Sequence, residues 1–163
     1  MAASMLHIFS LVLILSIFKP SVALTEVLKN KICSQTGDSK LCLDILNNDP
    51  RTISPSADLY GTASAALNLA FSIVSDAQNF IKSKPELQVC SNGYGEVVRD
   101  LNQANGYLSS HDYRSLNLAA GGAVDFIEAC DKKLKGVNPL AERNHKAFVV
   151  ISIVGIIANM NPA

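Results

Sequence analysis

The sequence contains no tryptophan, and aromatic residues make up only 6% of the chain. A composition poor in aromatic rings and rich in Ala, Leu, Ile and Val suits packed helices better than a β-sandwich. An excess of either charge is also absent, because 14 Lys and Arg balance 14 Asp and Glu. No overall electrostatic field therefore points to nucleic acid or a membrane surface as a partner.

A hydrophobic run long enough to cross a bilayer is missing as well. The apolar run over residues 6–18 has 13 residues, whereas a transmembrane helix needs about 20. Its length is typical of the hydrophobic region of a signal peptide, and Ser21-Val22-Ala23 supplies small residues before a cleavage site. The sequence predicts a signal peptide over residues 1–23 and a secreted domain over residues 24–163.

Signatures of catalysis and of metal binding are not found in the mature chain. It has two histidines, His111 and His145, and neither belongs to an H-E-x-x-H motif; G-x-S-x-G and phosphate-binding loops do not occur. There is no C-x-x-C, and neither histidine lies near a cysteine in the sequence, which argues against a metal or redox site. We therefore expect no enzyme activity, no cofactor and no metal.

Four cysteines are present, and in an oxidising compartment they should form two disulfide bonds. Three connectivities are open. Pairing near neighbours, Cys33 with Cys42 and Cys90 with Cys130, gives each bond one helix–turn–helix to close. In the chain-entropy model these bonds contribute roughly 3 and 4 kcal/mol to stability.

Apolar residues at steps of three and four predict two amphipathic helices between Cys90 and Cys130. The two stripes are Cys90, Tyr94, Val97, Val98, Leu101, Ala104 and Leu108, then Leu116, Ala119, Ala120, Ala123, Phe126, Ile127, Cys130 and Leu134. A polar break lies between them, where Ser110 or Asp112 can cap the second helix. Antiparallel packing of the pair would bring both cysteines to the same end.

The remaining segments are also predicted to be helical. Short helices are expected over residues 24–35 and 40–47, followed by a long helix capped by Ser54, Ser56 or Asp58. Lys84-Pro85 should end the long helix before a short connection, and a final helix should cover residues 139–159. The fold class is all-α: an antiparallel four-helix bundle over 54–160 with an N-terminal α-hairpin over 24–48.

Two features have two interpretations each. Residues 147–158 are apolar on nearly every side, which favours a buried terminal helix, with a lipid-anchor signal as the alternative. Gly121-Gly122 in mid-helix costs about 1 kcal/mol per glycine relative to alanine. Close helix–helix approach is the ordinary explanation for this pair, and a hinge is the other.

The pattern as a whole resembles the plant invertase and pectin methylesterase inhibitor family. The residues that carry the resemblance are Cys33-x8-Cys42, Leu43, Leu46, Asp49-Pro50-Arg51, Cys90-x3-Tyr94, Leu101, Ala104, Leu108, Asp112-Tyr113 and the Ala-rich run to Cys130. The resemblance implies a four-helix bundle with an N-terminal α-hairpin and neighbouring-pair disulfides. It also implies an extracellular or vacuolar protein that blocks a carbohydrate-active enzyme by covering its active-site cleft.

The resemblance favours pectin methylesterase over invertase as the target. Invertase inhibitors commonly carry Pro-Lys-Phe after the central turn, where this chain has Tyr113-Arg114-Ser115. The candidate partner interface implied by the family is Asn92, Tyr94, Glu96, Arg99, Tyr113, Arg114 and Lys132. Tyr94 and Glu96 fit the family pattern, whereas Asn92, Arg99 and Lys132 replace acids and Ala129 replaces threonine.

Three functions therefore stay open at this stage. The first is a secreted inhibitor of pectin methylesterase, and the second is an inhibitor of cell-wall or vacuolar invertase in which Arg114 stands in for the missing motif. The third is a secreted helical bundle without inhibitory activity. The expected location is the apoplast, with the vacuole as the alternative; neither nucleic acid nor a membrane is an expected partner.

Overall fold

The computed structural model describes residues 22–134, 136 and 138–161. The helices are α1 (Glu26–Cys33), α2 (Ser39–Asn48), α3 (Pro50–Ile53), α4 (Leu59–Lys82), a 3-10 helix (Pro85–Cys90), α5 (Ser91–Ser109), α6 (Tyr113–Lys133) and α7 (Ala141–Met160). Within this part of the chain the only β pairing is one isolated bridge between Ala23 and Asp58. The all-α prediction is confirmed.

Residues 1–21 lie outside the described part, so the signal peptide and its cleavage after Ala23 stay predictions. The first described residues run beside the start of α4, where the amide of Leu24 donates to the carbonyl of Ala57 at 2.8 Å.

Aspartates cap four of the helices. Each carboxylate accepts a hydrogen bond from a backbone amide in the first turn, which satisfies a donor that has no partner within the helix. The pairs are Asp38 with Leu41, Asp49 with Arg51, Asp58 with Gly61 and Asp112 with Ser115. Of the caps considered from the sequence, Asp58 and Asp112 take the role rather than the neighbouring serines.

The four long helices form a closed bundle in which α4 packs against α5 and α7, and α6 packs against α5 and α7. The predicted apolar stripes form its core. Most of their members are buried, and the half-buried ones lie at the edges of the core: Val98, Phe126 and Leu134.

The N-terminal hairpin explains the composition of α7. Helices α1 and α2 both lie against α7, and the Cα of Gly37 leaves room for the ring of Phe148, which would be 3.2 Å from an added Cβ. Because α7 is enclosed by the hairpin, α4 and α6, its apolar residues are buried on nearly every side. The buried-helix interpretation is confirmed, and no described helix is long and apolar enough to cross a membrane.

The structure has disulfide bonds between Cys33 and Cys42 and between Cys90 and Cys130, with Cα atoms 5.4 and 5.1 Å apart. These are the near-neighbour pairs that the sequence favoured. The second bond joins the start of α5 to the end of α6, so it clamps the two helices at one end.

The segment after α4 is more ordered than a short connection. Residues 85–90 form the 3-10 helix, Leu87 is buried, and the Gln88 side-chain amide donates to the carbonyl of Ile81 at 2.9 Å. Cys90 therefore precedes α5 as its N-cap residue. Its sulfur is positioned by this packed segment as well as by the disulfide bond.

Candidate functional site

Helices α5 and α6 form a surface that the other described helices leave uncovered. The two helices pack on each other, on α4 or α7 and on the 3-10 helix, whereas the N-terminal hairpin lies on α7. Two grooves follow the line where α5 and α6 meet. We call this surface, with both grooves and Arg99 between them, the outer seam.

The disulfide-side groove has a volume of about 190 Å³. Its lining residues are Val89, Cys90, Asn92, Gly93, Glu96, Phe126, Ala129, Cys130 and Lys133. Two predicted interface residues, Asn92 and Glu96, therefore lie together, and Ala129 faces them from α6.

The turn-side groove has a volume of about 220 Å³ and is lined by Asp100, Gln103, Tyr107, Ser115, Leu118 and Ala119. Its α5 residues continue the steps of three and four that begin at Asn92 and Glu96, so both grooves lie on one face of the helix. On α6, the lining residues from Ser115 to Lys133 also follow steps of three and four, so they lie on one face of that helix. Leu118 is 67% exposed and adds apolar area to the surface.

Arg99 lies between the two grooves and pairs with two carboxylates. Its guanidinium forms an ion pair with Glu96 and another with Asp100, in which Nη2 is 3.1 Å from Oδ1. Two acids around one base give this part of the seam one net negative charge. The predicted interface residue Arg99 leaves a net negative charge on this three-residue cluster only, because Lys133 in the disulfide-side groove brings the whole seam to two acids and two bases.

Lys132 lies in the last turn of α6 next to Lys133, and of the two it is Lys133 that lines the disulfide-side groove. The side chain of Lys132 is exposed, and its ammonium is 3.3 Å from the Glu128 carboxylate one turn earlier on α6. An exposed pair of this kind adds little to stability, so Lys132 is free to contact a partner.

Tyr113 and Arg114 lie at the opposite end of the helix pair, in the first turn of α6. Because α5 has 19 residues and rises 1.5 Å per residue, about 28 Å separates this end from the disulfide. Tyr113 makes an edge contact with His111, whose ring stacks on Tyr60 at 5.5 Å between centroids. Burial, followed by the nearby Tyr60 and Asp58, raises the pKa of Tyr113.

Tyr94 does not lie on the surface, and its prediction as a direct partner contact is wrong. Its side chain is completely buried, and the hydroxyl donates to the side-chain oxygen of Asn144 on α7. The amide of Asn144 donates in turn to Asp131, which also accepts a hydrogen bond of 2.6 Å from Asn138. Burial, followed by the charge of Asp131, raises the pKa of Tyr94.

The sequence reasoning missed several residues of the outer seam and its surroundings, namely Tyr60, Asp100, Gln103, Tyr107 and Leu118. Asp100 had a detectable signal, because it follows Glu96 by four residues and so shares its helix face. Its partner on α6 is Gly122, which no sequence rule links to position 100.

In the described residues, no group of three or more His, Cys, Asp or Glu side chains could hold a metal ion.

Comparison with known proteins identifies similar chains. A family model described as plant invertase/pectin methylesterase inhibitor matches residues 28–156. A pectinesterase inhibitor from Actinidia deliciosa is 30% identical over 158 residues, which cover 88% of this chain and 84% of that protein. A Platanus orientalis protein named for invertase inhibition is 29% identical over 128 residues, which cover 71% of this chain and 74% of that protein.

A solved structure shows the same fold. The crystal structure of mutant form A of a pectin methylesterase inhibitor from Arabidopsis superposes with a TM-score of 0.71 at 23% identity. The match covers 80% of this chain and 95% of that chain.

Proposed function

Because the chain belongs to the plant invertase/pectin methylesterase inhibitor family, a family of inhibitors and not of enzymes, we propose that it inhibits a pectin methylesterase by docking its outer seam over the active-site cleft. The observation that carries this proposal is the uncovered, disulfide-clamped α5–α6 surface with its two grooves. Inhibition is non-covalent and stoichiometric, since the bound protein excludes substrate by its bulk.

The rigidity of the surface supports tight binding. One disulfide bond holds α5 and α6 at one end, and the buried Tyr94–Asn144–Asp131 hydrogen bonds tie both helices to α7 near that end. A surface held in its bound shape loses little conformational entropy on docking, so more of the contact energy appears as affinity.

Pectin methylesterase is favoured over invertase for two reasons. The relative from Actinidia deliciosa is named a pectinesterase inhibitor. In addition, the start of α6 reads Tyr113-Arg114-Ser115 and lacks the Pro-Lys-Phe sequence that the resemblance leads one to expect of an invertase inhibitor. Invertase is the second candidate target, with Arg114 as the basic contact. We propose secretion to the apoplast, where cell-wall enzymes act.

The test is a titration of plant pectin methylesterases and of cell-wall and vacuolar invertases with the secreted protein at the pH of the cell wall. We expect loss of pectin methylesterase activity near equimolar protein. Glu96→Lys, which reverses a charge on the outer seam, should weaken inhibition at least tenfold. Its matched control is Glu142→Lys on α7, an exposed acid outside the seam, which should leave inhibition unchanged.

Full activity of every pectin methylesterase and invertase at equimolar protein would reject the inhibitory function and leave a helical bundle with another role. Inhibition of invertase alone would replace the first target by the second. Equal effects of the Glu96 and Glu142 variants would show that a different surface contacts the enzyme.

A further inference from the structure

We propose that the turn-side groove is a socket for one cationic side chain, an arginine or a lysine, of the target enzyme, and that Asp100 is the residue that binds it. The inference rests on the proposed function and adds a specific chemical requirement for the target. A suitable target presents a basic residue beside its active-site cleft, at the position that meets this groove.

Asp100 is an unusual residue for a helix surface because it is only 6% exposed. Its carboxylate has one described polar partner, the neighbouring Arg99, which donates from Nε at 3.3 Å and from Nη2 at 3.1 Å. Both hydrogen bonds go to Oδ1. The other oxygen, Oδ2, lies against Gly122 of α6.

Gly122 makes room for this carboxylate. A Cβ atom at position 122 would be 2.6 Å from Oδ2 of Asp100, closer than such atoms approach in proteins. Gly122 therefore explains how an acid can sit between two packed helices. By contrast, an added Cβ at Gly121 would have no heavy atom within 4 Å apart from its chain neighbours and the backbone of its own helix, so the close-approach explanation applies to one glycine of the pair.

The chemistry of the groove fits a basic side chain. Buried carboxylates are costly unless they are paired with a charge and hydrogen-bonded, and the pair that Arg99 supplies is weak because its side chain is 57% exposed. Gln103, Tyr107 and Ser115 offer oxygen acceptors for further N–H groups, while Leu118 offers apolar surface for an aliphatic stem.

The charges around the groove favour the same occupant. Within the Glu96–Arg99–Asp100 cluster two acids meet one base, so the cation that reaches Asp100 meets a local net negative charge. Arg99 can pair with Glu96 alone when the partner's cation takes Asp100, because it already contacts both acids. Charge complementarity thus selects a basic side chain over an acidic or neutral one.

The first experiment compares inhibition by three variants whose folding is checked by thermal unfolding. Asp100→Asn keeps the shape and removes the charge, so we expect inhibition to weaken about 10- to 100-fold and to lose part of its salt dependence. Gly122→Ala should displace the carboxylate and weaken inhibition as well. The control is Glu142→Gln, which removes one exposed carboxylate charge outside the seam and should leave inhibition unchanged.

The second experiment does not depend on an enzyme. An NMR titration of the full secreted protein with N-acetyl-arginine amide should shift the Gly122 amide and the Gln103 side-chain amide, and Asp100→Asn should abolish these shifts. Wild-type inhibition by Asp100→Asn, or an equal loss of inhibition in Glu142→Gln, would overturn the socket while the inhibitory function stands. If no enzyme is inhibited, absence of the NMR shifts at millimolar probe would overturn the socket independently.

Discussion

His111 adopts a backbone conformation that residues with a side chain rarely take, with φ at 59°. It follows the end of α5, where the amide of His111 donates to Leu108 and the amide of Asp112 donates to Tyr107. This is the Schellman arrangement, whose left-handed residue is usually glycine. The ring of His111 nevertheless contacts Tyr60 and Tyr113, so the position combines backbone strain with side-chain packing.

Two substitutions at His111 separate these effects. Both His111→Gly and His111→Ala remove the ring, but only glycine relieves the positive φ. We expect the glycine variant to be more stable than the alanine variant by about 1 kcal/mol in urea unfolding. Equal stabilities would mean that the turn relaxes to another conformation in the alanine variant.

The buried hydroxyl of Tyr94 gives a second prediction at this scale. Tyr94→Phe leaves the side-chain oxygen of Asn144 without its donor in the core, and an unsatisfied buried group costs about 1–3 kcal/mol. We expect the free energy of unfolding to fall by that amount in a urea titration. Tyr60→Phe, at an exposed position, is the control and should change stability by less than about 0.5 kcal/mol.

The position of Tyr94 could be predicted only in part from the sequence. Its place in the apolar stripe of α5 predicted burial, while the family resemblance placed it at the interface. The periodicity was right, because the residue faces α7 and the polar end of its side chain is satisfied there by Asn144. A hydrogen bond between residues 50 positions apart cannot be deduced from either local sequence.

At the scale of the elements, the two disulfide bonds should differ in their effect on stability. The bonds join residues 9 and 40 positions apart, so the second one restricts the unfolded chain more strongly. We expect Cys33→Ala/Cys42→Ala to lose about 3 kcal/mol and Cys90→Ala/Cys130→Ala about 4 kcal/mol in urea unfolding. The measurement is made on both double variants and on the oxidised wild type.

The two disulfide bonds should also differ in how much their removal weakens inhibition. The Cys90–Cys130 bond borders the outer seam, whereas the Cys33–Cys42 bond lies in the hairpin on α7. Loss of the first should therefore weaken inhibition more than loss of the second under conditions where both variants remain folded. The reverse order would place the docking surface on the hairpin side.

Helix positions followed from the sequence because their signals are local. The aspartate caps at Asp58 and Asp112 and the steps of three and four along α5 and α6 are visible in short stretches of chain. The 3-10 helix at Pro85–Cys90 was missed for the same reason. Its order comes from Leu87 packing in the core and from Gln88 bonding to α4, contacts that depend on the assembled bundle.

For the whole molecule, the sequence predicted the bundle but not the arrangement of its surface. The resemblance grouped Asn92 and Glu96 with Tyr113 and Arg114. The antiparallel packing of α5 and α6 places Asn92 and Glu96 at one end of the helix pair and Tyr113 and Arg114 at the other. The grooves between the helices arise from which small residues face each other, such as Gly122 against Asp100. That register is a property of tertiary packing.

Acid should also lower the stability of the whole fold. Three helix-capping carboxylates have lowered pKa values: Asp38 through the Leu41 amide and then His145, Asp49 through the Arg51 side chain, and Asp112 through Ser115. Asp38 in addition connects the hairpin to α7, since its carboxylate is 3.0 Å from His145 Nε2. Protonation of these groups therefore weakens both helix starts and the attachment of the hairpin.

The sign of the pH dependence follows from the direction of these shifts. The folded-state pKa values lie below the unfolded value of about 3.9, so the stabilisation is fully present above that value and is lost as the pH falls through the folded pKa values. We expect the urea midpoint to be flat from about pH 5 to 7 with respect to these groups and to drop below about pH 4. Asp38→Asn keeps a capping oxygen but cannot titrate, so its profile should fall less steeply in the acid range than that of the wild type. Parallel profiles for the two proteins would show that the Asp38 carboxylate has the same proton affinity in the folded and unfolded chains, and the contact with His145 would then not hold the hairpin on α7 electrostatically.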